Sequence, residues 1–118
     1  MSPSATIEVL AEPSRRRILD ELRGGELSVQ SLVERVELSQ PSVSKHLRVL
    51  REAGLVSVRP DGQRRVYRVQ PEPLMELDEW LEPYREMWRR SLDDLERHLQ
   101  PKQPTQPRPS TKKKRRSE

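Results

Sequence analysis

The sequence predicts a mainly α-helical domain that carries a single β-hairpin, with five to six helices in all. Three observations predict it. Apolar residues recur at every third or fourth position through most of the stretches 4–53 and 74–99, the spacing that gathers them on one helical face. Between residues 55 and 69 the pattern changes to β-branched runs of alternating character around an Asp61-Gly62 turn signal. Pro13, Gly24-Gly25, Pro41 and Gly54 punctuate the helical stretches at positions that open or close helices.

Each element has its own signals. Ser4 caps a short helix through Leu10. Pro13 opens a second, at an early position where the missing N–H has no partner to lose, and Ile18, Leu19 and Leu22 form its inward face before Gly24-Gly25 ends it. Ser28 begins a third, with the stripe Val29, Leu32, Val33 and Val36. After a turn at Glu37-Leu38, Ser39 caps a fourth helix that accepts Pro41 in its first turn and runs to about Ala53, burying Val43, Leu47 and Leu50. Gly54 stops it. Strands 55–59 and 65–69, joined by Pro60, Asp61, Gly62 and Gln63, then make the hairpin. From Leu74 the helical period returns in Leu77, Leu81, Tyr84, Trp88, Leu92, Leu95 and Leu99, with Trp80 and Met87 beside the stripe. Pro83 falls inside this pattern and predicts a kink or a restart.

Charge divides the chain further. Residues 100–118 hold seven Lys/Arg against one Glu, four prolines and no apolar side chain, so they are expected to form a disordered basic tail behind a folded domain of residues 1–99. Without that segment the net charge of +4 becomes −2. Within the domain, residues 39–69 carry a net +5 and residues 70–99 a net −5. A positive patch held on a near-neutral body is the footprint of a polyanion partner. The basic block Lys112 to Arg116 could add salt-sensitive affinity for duplex or simply keep the chain soluble.

Several function classes are set aside at once. The absence of cysteine removes disulfides, thiolate metal sites and cysteine nucleophiles. A Gly-rich phosphate loop is missing, as is a nucleophile with an evident base, so no enzyme is expected. No apolar run approaches the roughly 20 residues that span a bilayer. The expectation is a soluble, cytoplasmic, nucleoid-associated protein without membrane contact.

Helix, helix, helix-turn-helix, hairpin, helix is the order of a winged helix-turn-helix domain. The string LSQPSVSKHLRVLREAGLV at residues 38–56, followed by GQRRVY at 62–67, resembles the ArsR family of bacterial repressors over about residues 5–99. The resemblance implies a homodimer built on the first and last helices, binding to a double-stranded operator near a promoter, repression, and in many members a small-molecule inducer whose identity the sequence leaves open. The string WLEPYREMWRRSLDDLERHL of the last helix is similar to the metal-free, autorepressor-like branch.

The residues support a compatible picture independently. With Val43, Leu47 and Leu50 inward, Pro41, Ser42, Lys45, Arg48 and Glu52 point away. A helix fits the major groove, so Gln40, Ser42 and Lys45 are the expected readers of base edges, with Ser44 and Arg48 on phosphates. Arg64 and Arg65 flank the hairpin turn, and at least one should reach a phosphate strand or a minor groove; Arg59 and Arg68 are weaker candidates. The bland alternatives are an ordinary solvated face and edge charges that block strand pairing. Leu77, Leu81, Tyr84, Trp88, Leu92 and Leu95 offer more apolar surface than so small a domain easily hides; the stripe either completes the core of one chain or, as the resemblance implies, joins two chains in a twofold dimer with recognition helices about 34 Å apart and an inverted-repeat operator.

Metal sensing is not expected. Where thiolate-sensing relatives carry Cys-Val-Cys, this chain has Ser28 and Gln30, whose neutral oxygens cannot replace soft ligands. On the last helix, His98 and Asp94 form a surface pair more readily than a ligand set, and His46 reads as a packing or phosphate-adjacent residue. No metal and no cofactor are therefore expected. The alternative function from another class is a winged-helix protein-interaction module whose basic face docks an acidic partner.

Overall fold

The computed structural model of the protein describes residues 2–99; the segment 100–118, where the basic tail was expected, lies outside the described residues. The elements follow in the order α1 (Pro3–Leu10), α2 (Pro13–Leu22), β1 (Leu27–Ser28), α3 (Val29–Val36), α4 (Gln40–Glu52), β2 (Val56–Asp61), β3 (Arg64–Val69) and α5 (Glu72–Leu99). Among the described residues the result is a winged helix-turn-helix fold of five helices and a three-stranded antiparallel sheet in the order β1-β3-β2.

The capping residues explain the boundaries. Ser2, not Ser4, caps α1, its side chain accepting from the Ala5 N–H, because Pro3 already occupies the first helical turn. Glu12 caps α2 by accepting from Ser14 N–H, with Pro13 in the first turn. Ser28 and Ser39 do the same for α3 and α4, accepting from the N–H groups of Ser31 and Ser42. Between α3 and α4, Glu37 takes a left-handed conformation (φ 58°), which a non-glycine side chain adopts at a helix end only where a tight reversal demands it. Gly54 at φ 75° performs the same reversal after α4 and lets the Leu55 N–H return to the Leu50 carbonyl at 2.9 Å.

The core sits where α2, α3 and α4 meet the sheet. Ile18, Leu22, Leu32, Val36, Val43, Leu47, Leu50 and Leu55 are all buried in one cluster, with Tyr67 closing it from β3. Burial of this set leaves the opposite flanks of the helices to solvent.

The sheet differs from the expected hairpin in two ways. A third strand is present: Leu27 pairs with Tyr67 and Ser28 with Val66. Two residues are too few for an alternating signature, and Ser28 also caps α3, so the strand and the helix share one residue boundary. In addition, strand pairing runs out to Asp61 opposite Arg64, so the connection is two residues, Gly62 and Gln63, rather than four. Gly62 at φ 66° supplies the left-handed conformation that so short a reversal needs.

Two compact units divide the described residues, one ending at Leu81 and one starting at Glu82. In the first, Pro73 is buried and Leu74 packs on the core. In the second, the described residues continue α5, and the expected restart at Pro83 does not occur: helical conformation runs unbroken from Glu72 to Leu99. Ion pairs three, four and seven residues apart brace residues 82–97, joining Glu82 to Arg85 and Arg89, Glu86 to Arg89 and Arg90, and Asp94 to Arg97. The neighbouring guanidinium groups hold the carboxyls of Glu82 and Glu86 below the usual carboxylate range, chiefly through hydrogen bonds from Arg85 and Arg89 respectively.

Candidate nucleic-acid interface

Helix α4 is anchored by one face and open on the other. Val43, Leu47 and Leu50 are buried in the core, whereas Gln40, Pro41, Ser44, Lys45 and Arg48 are exposed. Ser42 is half-buried beside the Ser39 cap, to which its N–H donates at 3.3 Å. The exposed flank is therefore hydroxyl, carboxamide and cationic, the inventory that reads base edges and phosphates.

The wing arranges its arginines by strand alternation. Because successive residues face opposite sides of a sheet, Arg64 shares a face with Arg68 and Arg65 shares one with Tyr67. Both Arg64 and Arg65 are exposed, and Arg64 lies 3.7 Å from Asp61 in a solvent-facing pair. Arg59 is engaged elsewhere. Its guanidinium donates twice to Glu26, at 3.0 Å from Nε and 2.7 Å from Nη2, tying β2 to the approach of β1. That hydrogen bonding holds the Glu26 carboxyl below the usual carboxylate range. Nothing local links residues 26 and 59, so only complementary charge hinted at the pair.

A cleft of about 160 Å³ brings the helix and the wing together, lined by Ser28, Val29, Gln30, Gln40, Arg64 and Arg65. Gln40, Arg64 and Arg65, three of the residues expected to contact DNA, meet in this cleft, and Gln30, whose position in the sequence suggests only a vacated ligand site, lines it with them. On the far side of α4, half-buried His46 accepts from Arg15 Nε of α2 at 3.4 Å, and the same guanidinium donates to the Val9 carbonyl of α1 at 3.1 Å. Helix α4 is thus tied through one side chain to α1 and α2.

The positions considered for metal carry other duties. Ser28 caps α3 and also donates from Oγ to Ser31 Oγ at 3.2 Å, and a neutral hydroxyl beside a carboxamide is a poor donor set for a thiophilic ion. His98 Nδ1 lies 2.9 Å from the Asp94 main-chain oxygen, while the Asp94 carboxylate pairs with Arg97. Among the described residues no group of three or more His, Cys, Asp or Glu side chains is placed to hold a metal. The six residues expected at a dimer contact divide: Leu77 and Leu81 are half-buried, whereas Tyr84, Trp88, Leu92 and Leu95, further along α5, are exposed. No described helix is long and apolar enough to cross a membrane.

The fold, with a polar-flanked helix beside a basic hairpin, defines a winged helix-turn-helix DNA-binding transcription regulator rather than an enzyme. The chain belongs to the ArsR family: the signature described as bacterial regulatory protein, arsR family, matches residues 12–58. An HTH-type transcriptional regulator of Mycobacterium tuberculosis is 41% identical over 91 residues, covering 77% of this chain and 82% of that protein. The transcriptional repressor SdpR of Bacillus subtilis is 32% identical, over 63% of this chain and 82% of its own length. Among solved structures, a possible transcriptional regulator for arsenical resistance superposes with a TM-score of 0.61 at 42% identity, covering 73% of this chain and 92% of that one. An ArsR-like regulator from Rhodococcus sp. RHA1 gives 0.64 at 28% identity, over 82% and 92% of the two chains.

Proposed function

We propose that the protein is a homodimeric transcriptional repressor that binds an inverted-repeat operator without needing a metal. Helix α4 enters the major groove, with Gln40, Ser42 and Lys45 at base edges and Ser44 and Arg48 on phosphates, while Arg64 and Arg65 follow the adjacent backbone or minor groove. The observation that carries this reading is the division of α4 into a buried apolar face and an exposed polar flank, whose first residue, Gln40, shares a cleft with the wing arginines Arg64 and Arg65. A symmetric pair would form through the exposed apolar residues of α5, and each half-site would meet one α4. Repression as the sense of regulation is supported by the relative from Bacillus subtilis, which is named a repressor.

Independence from metal is supported by the donor chemistry of Ser28 and Gln30 and by the engagement of Asp94 with Arg97. The test is a gel shift and footprint on the DNA upstream of the protein's own gene, with competitor duplex and salt stated, before and after chelation. Ser42→Ala combined with Lys45→Ala should abolish preference for the footprinted sequence. Full preference in that variant would remove α4 as the reader, and loss of binding on chelation would remove the metal-independent assignment.

A further inference from the structure

We propose that the cleft between the start of α3, the start of α4 and the hairpin seats one backbone phosphate of the bound duplex, with Gln30 as a DNA-positioning residue in its wall. The inference rests on the reading of α4 and the wing given above. Adjacent grooves of a duplex are separated by a single sugar-phosphate strand. With α4 in one groove and the hairpin tip in the next, that strand has to run between them, and what lies there is the cleft.

The shape of the cleft follows from the fold. Strand β1 ends after two residues because Val29 enters α3, so Arg64 and Arg65 have β2 on one edge and no β1 residue on the other. Gln30 and Gln40, both exposed in the first turns of their helices, close the space that the missing strand residues leave. Its volume of about 160 Å³ is several times the ~30 Å³ share of a water molecule, enough for the oxygens of a phosphodiester.

The chemistry of the lining suits a phosphate. Two guanidinium groups bring charge and forked donors, and two carboxamides bring N–H donors without charge. Asp61 offsets Arg64 across 3.7 Å at the solvent edge. No carboxylate lies within ion-pair distance of Arg65 among the described residues. A phosphate held there would set the register of α4 along the groove while carrying no sequence information itself.

The experiment measures affinity against salt for the full chain on its footprinted operator and on an unrelated duplex. Gln30→Lys adds one cation to the cleft and should steepen the slope of log affinity against log salt by about one on both duplexes. Gln70→Lys, with the same charge at the far end of β3, should leave the slope alone. Gln30→Ala should weaken binding to both duplexes by about tenfold, the loss of a hydrogen bond to a charged group, with operator preference unchanged. Ethylation of one phosphate per half-site should interfere with the parent, and the interference should weaken without vanishing in Gln30→Ala, because Arg64 and Arg65 still face that phosphate.

An unmoved slope in Gln30→Lys, or an identical interference pattern in Gln30→Ala, overturns the cleft assignment. Binding of inorganic phosphate at Arg65, followed by NMR, without any effect of Gln30 on duplex would point to a free-anion site instead and equally overturn it. Lys45→Ala in the same series separates the two levels of inference. If it loses operator preference while the Gln30 variants change nothing, the cleft alone fails; if the parent chain binds no duplex, both fail.

Discussion

Trp88→Ala tests the dimer most directly, and its size follows from exposure. Trp88 is 57% exposed. A tryptophan can bury up to about 250 Å², so about 140 Å² of this side chain faces solvent in a single chain. Covering that area at about 25 cal/mol per Å² corresponds to roughly 3.5 kcal/mol per chain, and a twofold contact removes it twice. Side-chain ordering and incomplete coverage consume part of the total. The expected net loss is about 3 kcal/mol per dimer, a rise of roughly a hundredfold in the dimer dissociation constant. Sedimentation equilibrium over a range of protein concentrations measures it, with Asp93→Ala as an exposed control that should change nothing. A Trp88→Ala constant within about threefold of the parent, with unchanged helix content, would refute a contact centred on this stripe and return α5 to an ordinary solvated helix.

Three further outcomes follow from the caps, the core and the ion pair of the wing. Ser39→Ala removes the side-chain acceptor at the start of α4 and should cost about 1 kcal/mol, seen as a fall of roughly 4–8 °C in Tm, with Ser39→Asp recovering most of it; an unchanged Tm in Ser39→Ala would mean that the cap is not made. Leu50→Ala empties a site with 0% exposure and should lower the unfolding free energy by about 2–5 kcal/mol in urea; a loss below about 1 kcal/mol would show a core able to collapse around the gap. Because Arg59 holds the Glu26 carboxyl below its ordinary value of 4.5, the stabilisation it brings is complete above that pH and fades as the pH falls through the lowered folded-state value. The small stability difference between the parent and Glu26→Gln should therefore shrink on acidification, and a difference that stayed constant across the carboxylate range would contradict the pairing.

Much of the candidate interface was legible in advance because its parts are local. Ser39, Pro41 and the spacing of Val43, Leu47 and Leu50 specify where α4 begins and which flank it leaves free, since cap chemistry and a period of 3.6 act within a few residues. The hairpin was legible for the same reason, though its pairing ran further toward the tip than Pro60 suggested. Pro83 left a kink and a restart both open in the sequence, and the structure sets aside only the restart: a proline removes one hydrogen bond without having to end a helix, and ion pairs over the next turns support helical conformation here.

What the amino-acid order determined by itself was thus the set of helices, the wing, the segregation of charge and the polar flank of α4. Tertiary structure alone decided that Leu27-Ser28 would join β3, that Arg59 would be spent on Glu26, that Arg15 would link α1 to His46, and that Gln30 would stand beside Gln40, Arg64 and Arg65. The physical reason is range. Periodicity and capping are written into neighbouring residues, whereas these contacts join side chains brought together only when the apolar faces of α2, α3 and α4 collapse onto the sheet.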